Sequence, residues 1–159
     1  IHDCVVYHGH GGFVVGSEMS RGVRNVLVEN CTFVGTDVGL RFKSAIGRGG
    51  VVEDITIRDI YMTDIVNEAI IMTMGYVLNN SDGSLEANPE KIDREDIPEF
   101  KNITMENINC LGAKNAIKIE GLKQLPIHDI HIKDSYFKAQ TGYTESYAEN
   151  IVLENVVIE

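Results

Sequence analysis

A short phrase recurs five times along this chain and constrains its fold more than any other feature. It reads Asn or Asp, apolar, any residue, apolar, any residue, Asn or Asp, and it begins at Asn25, Asp54, Asn102, Asp129 and Asn150. The starts are 29, 48, 27 and 21 residues apart. Apolar residues at every second position indicate a strand, and Asn or Asp at each end suits a turn. Repetition at such intervals indicates a solenoid with one coil per phrase.

The repeat predicts an all-β fold, a right-handed parallel β-helix of about five to six coils. The phrases should form one sheet, and the strands that follow Gly12, Gly39, Ala69 and Ala116 should form another. Helical periodicity is nearly absent, whereas leucine-rich repeats need a leucine ladder with helical segments. A propeller needs a blade period nearer forty residues and antiparallel hairpins.

The 159 residues are predicted to form a single β-helix domain, 1–159, with one insertion. The longest interval between phrases contains residues 77–101, which hold two of the three prolines and few periodic apolar residues. This stretch is expected to form a loop at the rim of the coil, either as solvated surface or as a wall of a groove. Because the chain begins at Ile1 within a repeat, we expect it to be a piece of a longer protein.

Charge and cysteine content exclude several functional classes. The net charge of −10 argues against nucleic acid as a partner, because phosphate binding requires basic stripes. No apolar run approaches eighteen residues, so no membrane span is predicted. Cys4, Cys31 and Cys110 have no metal-ligand spacing, and Cys4 and Cys31 are expected to be packing thiols in adjacent coils. No metal and no cofactor is predicted.

Two polar strings near the N-terminus carry the candidate functional residues. In GLRFKS, Leu40 and Phe42 alternate with Arg41 and Lys43, so the two cations should leave the same face of a strand. GHGGFVVGS shows the same register 27 residues earlier, which places His10 on the same outer surface. The residues expected in the interior are Phe13, Val15, Leu40, Phe42, Ile70, Met72, Ile117 and Ile119. Because strands one coil apart lie about 4.8 Å from each other, side chains on this surface can touch one ligand.

Alternative interpretations of these residues remain open at the level of sequence. Most exposed charges on strands have no function, so Arg41 and Lys43 can be solvated surface and His10 a loop residue between glycines. Asp37 and Glu68 are carboxylates one coil apart near the same face, but Asp37 can as easily cap a corner. The clustering of the cations in register favours a site over an accidental arrangement.

The two strings resemble motifs of the family 28 glycoside hydrolases, the polygalacturonase group that cleaves pectic polymers. Gly9-His10-Gly11 is similar to the family's GHG signature, residues 16–18 to its GSE, and residues 41–43 to its RIK signature with Phe in place of Ile. Tyr76, 35 residues after Arg41, falls where the family has a tyrosine in the substrate site. The specific motifs span Ile1 to about Tyr76, and beyond that the resemblance rests on the repeat.

The resemblance implies hydrolysis of galacturonosyl linkages in an acidic, pectic polysaccharide with inversion at the anomeric carbon. In the family the catalytic aspartates belong to NTD and DD motifs, and this sequence contains neither. The chain alone is therefore expected to be inactive and to carry the substrate-binding half of the site, with His10 orienting a catalytic aspartate and Arg41, Lys43 and Tyr76 binding the sugar. A secreted or periplasmic location is also implied.

Two other functional classes compete with the hydrolase. A non-catalytic β-helix can bind acidic polysaccharide or serve as a spacer, and aspartate pairs in the preceding coils would distinguish the enzyme from it. A polysaccharide lyase on the same fold would need acidic calcium-binding clusters near a basic residue, which the surroundings of Arg41 and Lys43 lack. The sequence does not determine whether the polymer is homogalacturonan or rhamnogalacturonan, or whether it is attacked internally or at its end. It also leaves the oligomeric state open.

Overall fold

The computed structural model describes residues 1–75 and 93–159, which form a right-handed parallel β-helix as predicted. Its strands are β1 (Val5–Tyr7), β2 (Phe13–Val15), β3 (Val23–Val34), β4 (Leu40–Lys43), β5 (Val51–Thr63), β6 (Glu68–Thr73), β7 (Glu99–Glu120), β8 (Ile127–Ser146) and β9 (Ala148–Ile158). The helical content of this described part is one 3₁₀ turn at Arg94–Asp96. None of its helices is long and apolar enough to cross a bilayer.

The five phrases stack as parallel strands in the predicted register. Val26 aligns with Ile55, Ile55 with Ile103, Ile103 with Ile130, and Ile130 with Ile151. We call the sheet that is made by the phrase segments of β3, β5, β7, β8 and β9 the phrase face. Each coil therefore covers the apolar residues of the next, which explains why the phrase keeps its two apolar positions.

The second predicted sheet also forms, and we call it the site face. It consists of β2, β4, β6, residues 115–120 of β7 and residues 141–146 of β8. Phe13 aligns with Leu40, Leu40 with Ile70, Ile70 with Ile117, and Ile117 with Tyr143. The predicted equivalence of residues 13–15 and 40–42 is therefore confirmed.

Alternation along β4 sends its apolar side chains inward. Leu40 and Phe42 have no exposed surface, and Arg41 and Lys43 are half-buried on the opposite side. Of the eight residues predicted in the interior, seven are buried and Phe13 is partly buried. The Phe42 ring lies edge-on to those of Phe13 and Phe100, with centroids 6.1 and 6.4 Å away. The Phe in the Arg-Phe-Lys motif is thus a packing residue.

The corners at both ends of each phrase are made by Asn and Asp in left-handed conformation. Their φ angles lie between 50° and 58°, a region that Asn and Asp tolerate better than other non-glycine residues. One ladder of corners runs Asn25, Asp54, Asn102, Asp129, Asn150, and the other runs Asp3, Asn30, Asp59, Asn107, Asp134, Asn155. In both ladders Asn and Asp strictly alternate.

This alternation pairs five of the six amides in the ladders with a carboxylate of the preceding coil. The Asn107 Nδ2 donates to Asp59 Oδ1 at 2.8 Å, and the Asn155 Nδ2 donates to Asp134 Oδ1 at 2.7 Å. The same bond joins Asn30 to Asp3, Asn102 to Asp54, and Asn150 to Asp129. Stacked coils are about 4.8 Å apart, so two successive aspartates would repel each other. Along these ladders the alternation keeps an amide between successive carboxylates.

Two predictions from the sequence need correction or fall outside the described residues. Cys31 is buried as predicted, whereas Cys4 is exposed at the edge of the described coils, next to β1, which pairs with β3 on one side. Burial raises the pKa of the Cys31 thiol. Of the predicted rim loop 77–101, residues 77–92 lie outside the described part, and residues 99–101 already belong to β7.

Gly16 allows two neighbouring coils to approach each other beside the cations of β4. Its φ is +98°, and a Cβ atom added there would lie 1.8 Å from the carbonyl oxygen of Lys43. Any side chain at this position would therefore push the end of β4 away. Gly47 has a similar φ of +95°, but nothing lies within 4 Å of the place where its Cβ would be.

Replacing Asn107 by Asp should destabilise the protein. Asp keeps the left-handed corner but removes the donor to Asp59 and places a third carboxylate between Asp59 and Asp134. Loss of one hydrogen bond and two repulsions of about 1 kcal/mol each should lower the free energy of unfolding by about 2–3 kcal/mol at neutral pH. Chemical denaturation measures this, and the loss should shrink in acid, where carboxyl groups are neutral.

The reverse exchange, Asp59→Asn, is the matched control. It keeps an acceptor for the Asn107 amide and adds no charge, so the free energy of unfolding should change by less than about 0.5 kcal/mol. Equal effects of the two substitutions would show that the alternation of charge does not contribute to stability.

Replacing Gly16 by Ala should cost more stability than replacing Gly47 by Ala. Both substitutions force a side chain into left-handed backbone, at about 1–2 kcal/mol each. Only Gly16→Ala also collides with the Lys43 carbonyl, which should add about 1–3 kcal/mol. The difference between their free energies of unfolding isolates the collision, and a difference near zero would contradict the close approach.

Candidate functional site

His10 lies at the corner that leads into β2, and its neighbour in the next coil is Asp37. The backbone amide of Asp37 donates to the Gly9 carbonyl at 2.9 Å, which stacks the two corners in register. The His10 Nδ1 lies 2.6 Å from the Asp37 Oδ2. The side chain of His10 is 96% exposed and that of Asp37 is 46% exposed. The imidazole therefore projects from the surface and is held at one nitrogen.

Arg41 and Lys43 project from the outer side of β4, four and six residues after Asp37. Because they are two residues apart on one strand, their side chains point in the same direction. Toward the following coils, Arg41 aligns with Ile71 and then Lys118, and Lys43 aligns with Thr73 and then Glu120. Two half-buried cations thus stand on the surface that continues from the His10 corner.

Carboxylates accompany the cations on both sides. Glu18 lies near Lys43, and its Oε1 is 3.5 Å from an Nη2 of Arg48. Its own backbone amide and the Ser17 hydroxyl hold the pKa of the Glu18 carboxyl below its usual range, and the charges of Arg48 and Lys43 act in the same direction. Further along, the Lys118 Nζ lies 2.9 Å from the Glu120 Oε1. The positive charge of Arg41 and Lys43 is therefore confined to a small area with a carboxylate on either side.

The structure places three of the four predicted site residues on two neighbouring coils. His10 precedes β2, and Arg41 and Lys43 lie on β4, the strand that pairs with β2. The fourth, Tyr76, lies outside the described residues. The contact between Asp37 and His10 was not anticipated, although Asp37 was one of the two carboxylates considered near this face. The spacing of 27 residues that aligned the two strings also aligns His10 with Asp37.

Lys118 and Glu120 are further charged residues on the site face that sequence reasoning did not single out. They alternate with buried Ile117 and Ile119, just as Arg41 and Lys43 alternate with Leu40 and Phe42. This alternation is visible in the sequence and would have identified Lys118 and Glu120 as outward-facing residues. In the described residues, no group of three or more His, Cys, Asp or Glu side chains is placed to hold a metal ion.

These side chains suit the binding of an anionic group. A guanidinium can pair with a carboxylate through two parallel hydrogen bonds, and an ammonium two residues away adds a second positive charge. The exposed imidazole of His10 lies at the corner before β2, the strand that pairs with β4. The two neighbouring coils thus carry a pair of cations and an imidazole.

Comparison with known proteins gives consistent matches. The family model described as Glycosyl hydrolases family 28 matches residues 1–157. An exo-poly-alpha-D-galacturonosidase of Dickeya chrysanthemi is 36% identical over 117 residues, covering 72% of this chain and 18% of that protein. A polygalacturonase of Ralstonia solanacearum is 36% identical over 116 residues, covering 70% of this chain and 19% of that protein.

A solved structure agrees with this assignment. The crystal structure of a hyperthermoactive exopolygalacturonase from Thermotoga maritima superposes with a TM-score of 0.78 at 27% identity, covering 98% of this chain and 34% of that one. The chain spans less than a fifth of the length of the two relatives from Dickeya and Ralstonia. With its fold, its motifs and the family model in agreement, the chain belongs to family 28 of the glycosyl hydrolases.

Proposed function

We propose that the protein containing this chain hydrolyses galacturonosyl linkages in pectic polymers, and that the chain carries the substrate-binding half of the active site. The observation that carries the proposal is the pair Arg41 and Lys43, which project together from β4 beside the His10 corner. The names of the Dickeya and Ralstonia relatives support a polygalacturonide as the substrate.

Arg41 and Lys43 would hold the carboxylate of one uronate unit. The planar fork of Arg41 can pair bidentately with that carboxylate, and the Lys43 ammonium adds a flexible point charge. Both side chains are half-buried, which strengthens such contacts relative to fully solvated ones. The net charge of −10 opposes a polyanion at long range, but salt screens that field beyond about 8 Å.

His10 would act on the acid and base rather than on the sugar carboxylate. An inverting glycosidase needs a carboxylic acid for the leaving oxygen and a carboxylate that activates water, about 6.5–9.5 Å apart. The family's NTD and DD motifs would supply these groups, and neither motif occurs in this sequence. We place them in coils that stack before β1, so that His10 would hydrogen-bond one of them or its water.

Tyr76 and a secreted or periplasmic location complete the proposal. Tyr76 would offer an aromatic wall for a pyranose ring together with a hydroxyl that can hydrogen-bond it. A substrate of cell-wall polymer cannot enter a cell, which is why we place the enzyme outside the cytoplasm.

Replacing Arg41 by Ala in the full-length protein should weaken the use of acidic substrate. A charged hydrogen bond of this kind is worth about 1.5–3 kcal/mol, so kcat/KM on oligogalacturonide should fall by about ten- to a hundredfold. Arg41→Lys should restore only part of it, because an ammonium cannot make the bidentate contact. Initial rates on acidic oligogalacturonide and on its methyl ester measure the effect, which should be much smaller on the ester.

Lys123→Ala is the control for loss of one positive charge at an exposed turn that follows β7, two strands away from β4. It should leave kcat/KM nearly unchanged. If Arg41→Ala weakens the acid and the ester equally, Arg41 does not recognise the carboxylate, and a non-catalytic polysaccharide-binding module or spacer becomes the better interpretation.

The isolated 159-residue chain should not hydrolyse polygalacturonate, whereas the full-length protein should. The reason is that the proposed acid and base lie outside this chain, although weak binding to the polymer is expected to survive. Release of reducing sugar measures turnover, and equilibrium binding to oligogalacturonide measures the remaining affinity. Turnover by the isolated chain would contradict the assignment of the acid and base, and no turnover by the full-length protein would contradict the hydrolase.

A further inference from the structure

We propose that Asp37 is a positioning residue that fixes the ring of His10 and the nitrogen that His10 presents to the active site. Its functional consequence rests on the proposed hydrolase, because only there does His10 meet a catalytic group. The contact itself is independent of that assignment: the His10 Nδ1 lies 2.6 Å from the Asp37 Oδ2, which belongs to the next coil, 27 residues along the chain.

The chemistry of the two groups determines the direction of the hydrogen bond. An ionised carboxylate can only accept, so the His10 Nδ1 must carry the proton and donate it to Asp37. In the neutral ring the Nε2 then keeps its lone pair, and in the protonated ring it becomes a donor. Without Asp37, the proton would distribute between the two nitrogens and the ring would turn about its exposed side chain. Asp37 therefore selects one atom, Nε2, for the site.

The backbone around Asp37 is held firmly enough to transmit this orientation. Its amide donates to the Gly9 carbonyl at 2.9 Å, and its carbonyl accepts from the Asn67 amide at 2.9 Å. The adjacent Thr36 is fully buried, and its hydroxyl donates to the Val38 carbonyl at 2.8 Å. The corner that carries Asp37 is thus bonded to the coils on both sides and anchored from within.

Stability does not explain this contact. Ion pairs this exposed contribute little to the free energy of unfolding. Three other histidines in the described residues also touch carboxylates: His2 meets Asp3, His128 meets Asp129 and His131 meets Glu154. These pairs lie at the corners or strands of the phrase face. The contact between His10 and Asp37 lies at the corner before β2, the strand that pairs with the strand of Arg41 and Lys43, where a defined nitrogen can hydrogen-bond a catalytic group of the proposed hydrolase.

The test uses the full-length protein with Asp37→Asn and Asp37→Ala. Asn can accept from a protonated Nδ1 or donate to a bare one, so it supports both tautomers, and Ala supports neither. Asp129→Asn is the matched control, because it removes the same charge from a His–Asp contact of 2.7 Å on the phrase face. The readouts are kcat and KM on oligogalacturonide, and the ¹⁵N shifts of His10 at alkaline pH, assigned with His10→Gln.

In the unaltered protein, the His10 shifts should report a protonated Nδ1 and an unprotonated Nε2. Both Asp37 variants should show a mixture of tautomers, and kcat should fall about tenfold or more while KM changes less than about threefold. Asp129→Asn should change neither kcat nor the His10 shifts. Unchanged His10 shifts in the variants, or a kcat within twofold of the unaltered protein, would overturn the proposal.

The two readouts separate this proposal from the proposed function. If the full-length protein does not hydrolyse polygalacturonate, the hydrolase assignment fails, and the ¹⁵N shifts still decide whether Asp37 sets the tautomer of His10. If hydrolysis occurs and Asp37→Asn lowers kcat no more than Asp129→Asn does, the hydrolase stands and the positioning role of Asp37 is wrong.

Discussion

The spacing between stacked coils is the constraint on which the rest of this structure depends. Parallel strands one coil apart lie about 4.8 Å from each other, so residues at equivalent positions face the same neighbours in every coil. Inside, this stacks apolar residues such as Ile55 on Ile103 and Ile70 on Ile117. Outside, it brings charges close together, and each outer surface must accommodate its own row of polar side chains.

Alternation of Asp with Asn keeps carboxylates apart along the corner ladders. On the strand surfaces, opposite charges pair across neighbouring coils. Arg58 meets Glu29, and Lys133 meets Glu106, each one coil apart. A net charge of −10 is therefore compatible with close stacking, because carboxylates are interleaved with amides or cations. Arg41 and Lys43 place two outward cations two residues apart on one strand of this acidic protein.

The sequence predicts the direction of side chains along a strand, because the pleat determines it. It does not predict the side-chain contacts that form at a corner. The inward direction of Phe42 and the outward direction of Arg41 follow from alternation, once the register is known. The 27-residue spacing aligns His10 with Asp37, but whether their side chains meet depends on the corner backbone and on side-chain torsions, which alternation does not determine. Cys4 had the inward pattern of Cys31, but a pattern within one coil cannot show whether another coil covers it.

The two parts of the proposed site are consequently held by different means. Arg41 and Lys43 take their direction from a strand whose buried neighbours, Leu40 and Phe42, lock it to the core. His10 stands on a glycine-flanked corner, almost fully exposed, and its orientation depends on one side chain of the next coil. A change in the core around Leu40 and Phe42 would therefore shift the two cations. A change at the corner can alter the histidine while the cations keep their place, so in the proposed hydrolase the orientation of His10 would vary independently of the residues that bind the substrate.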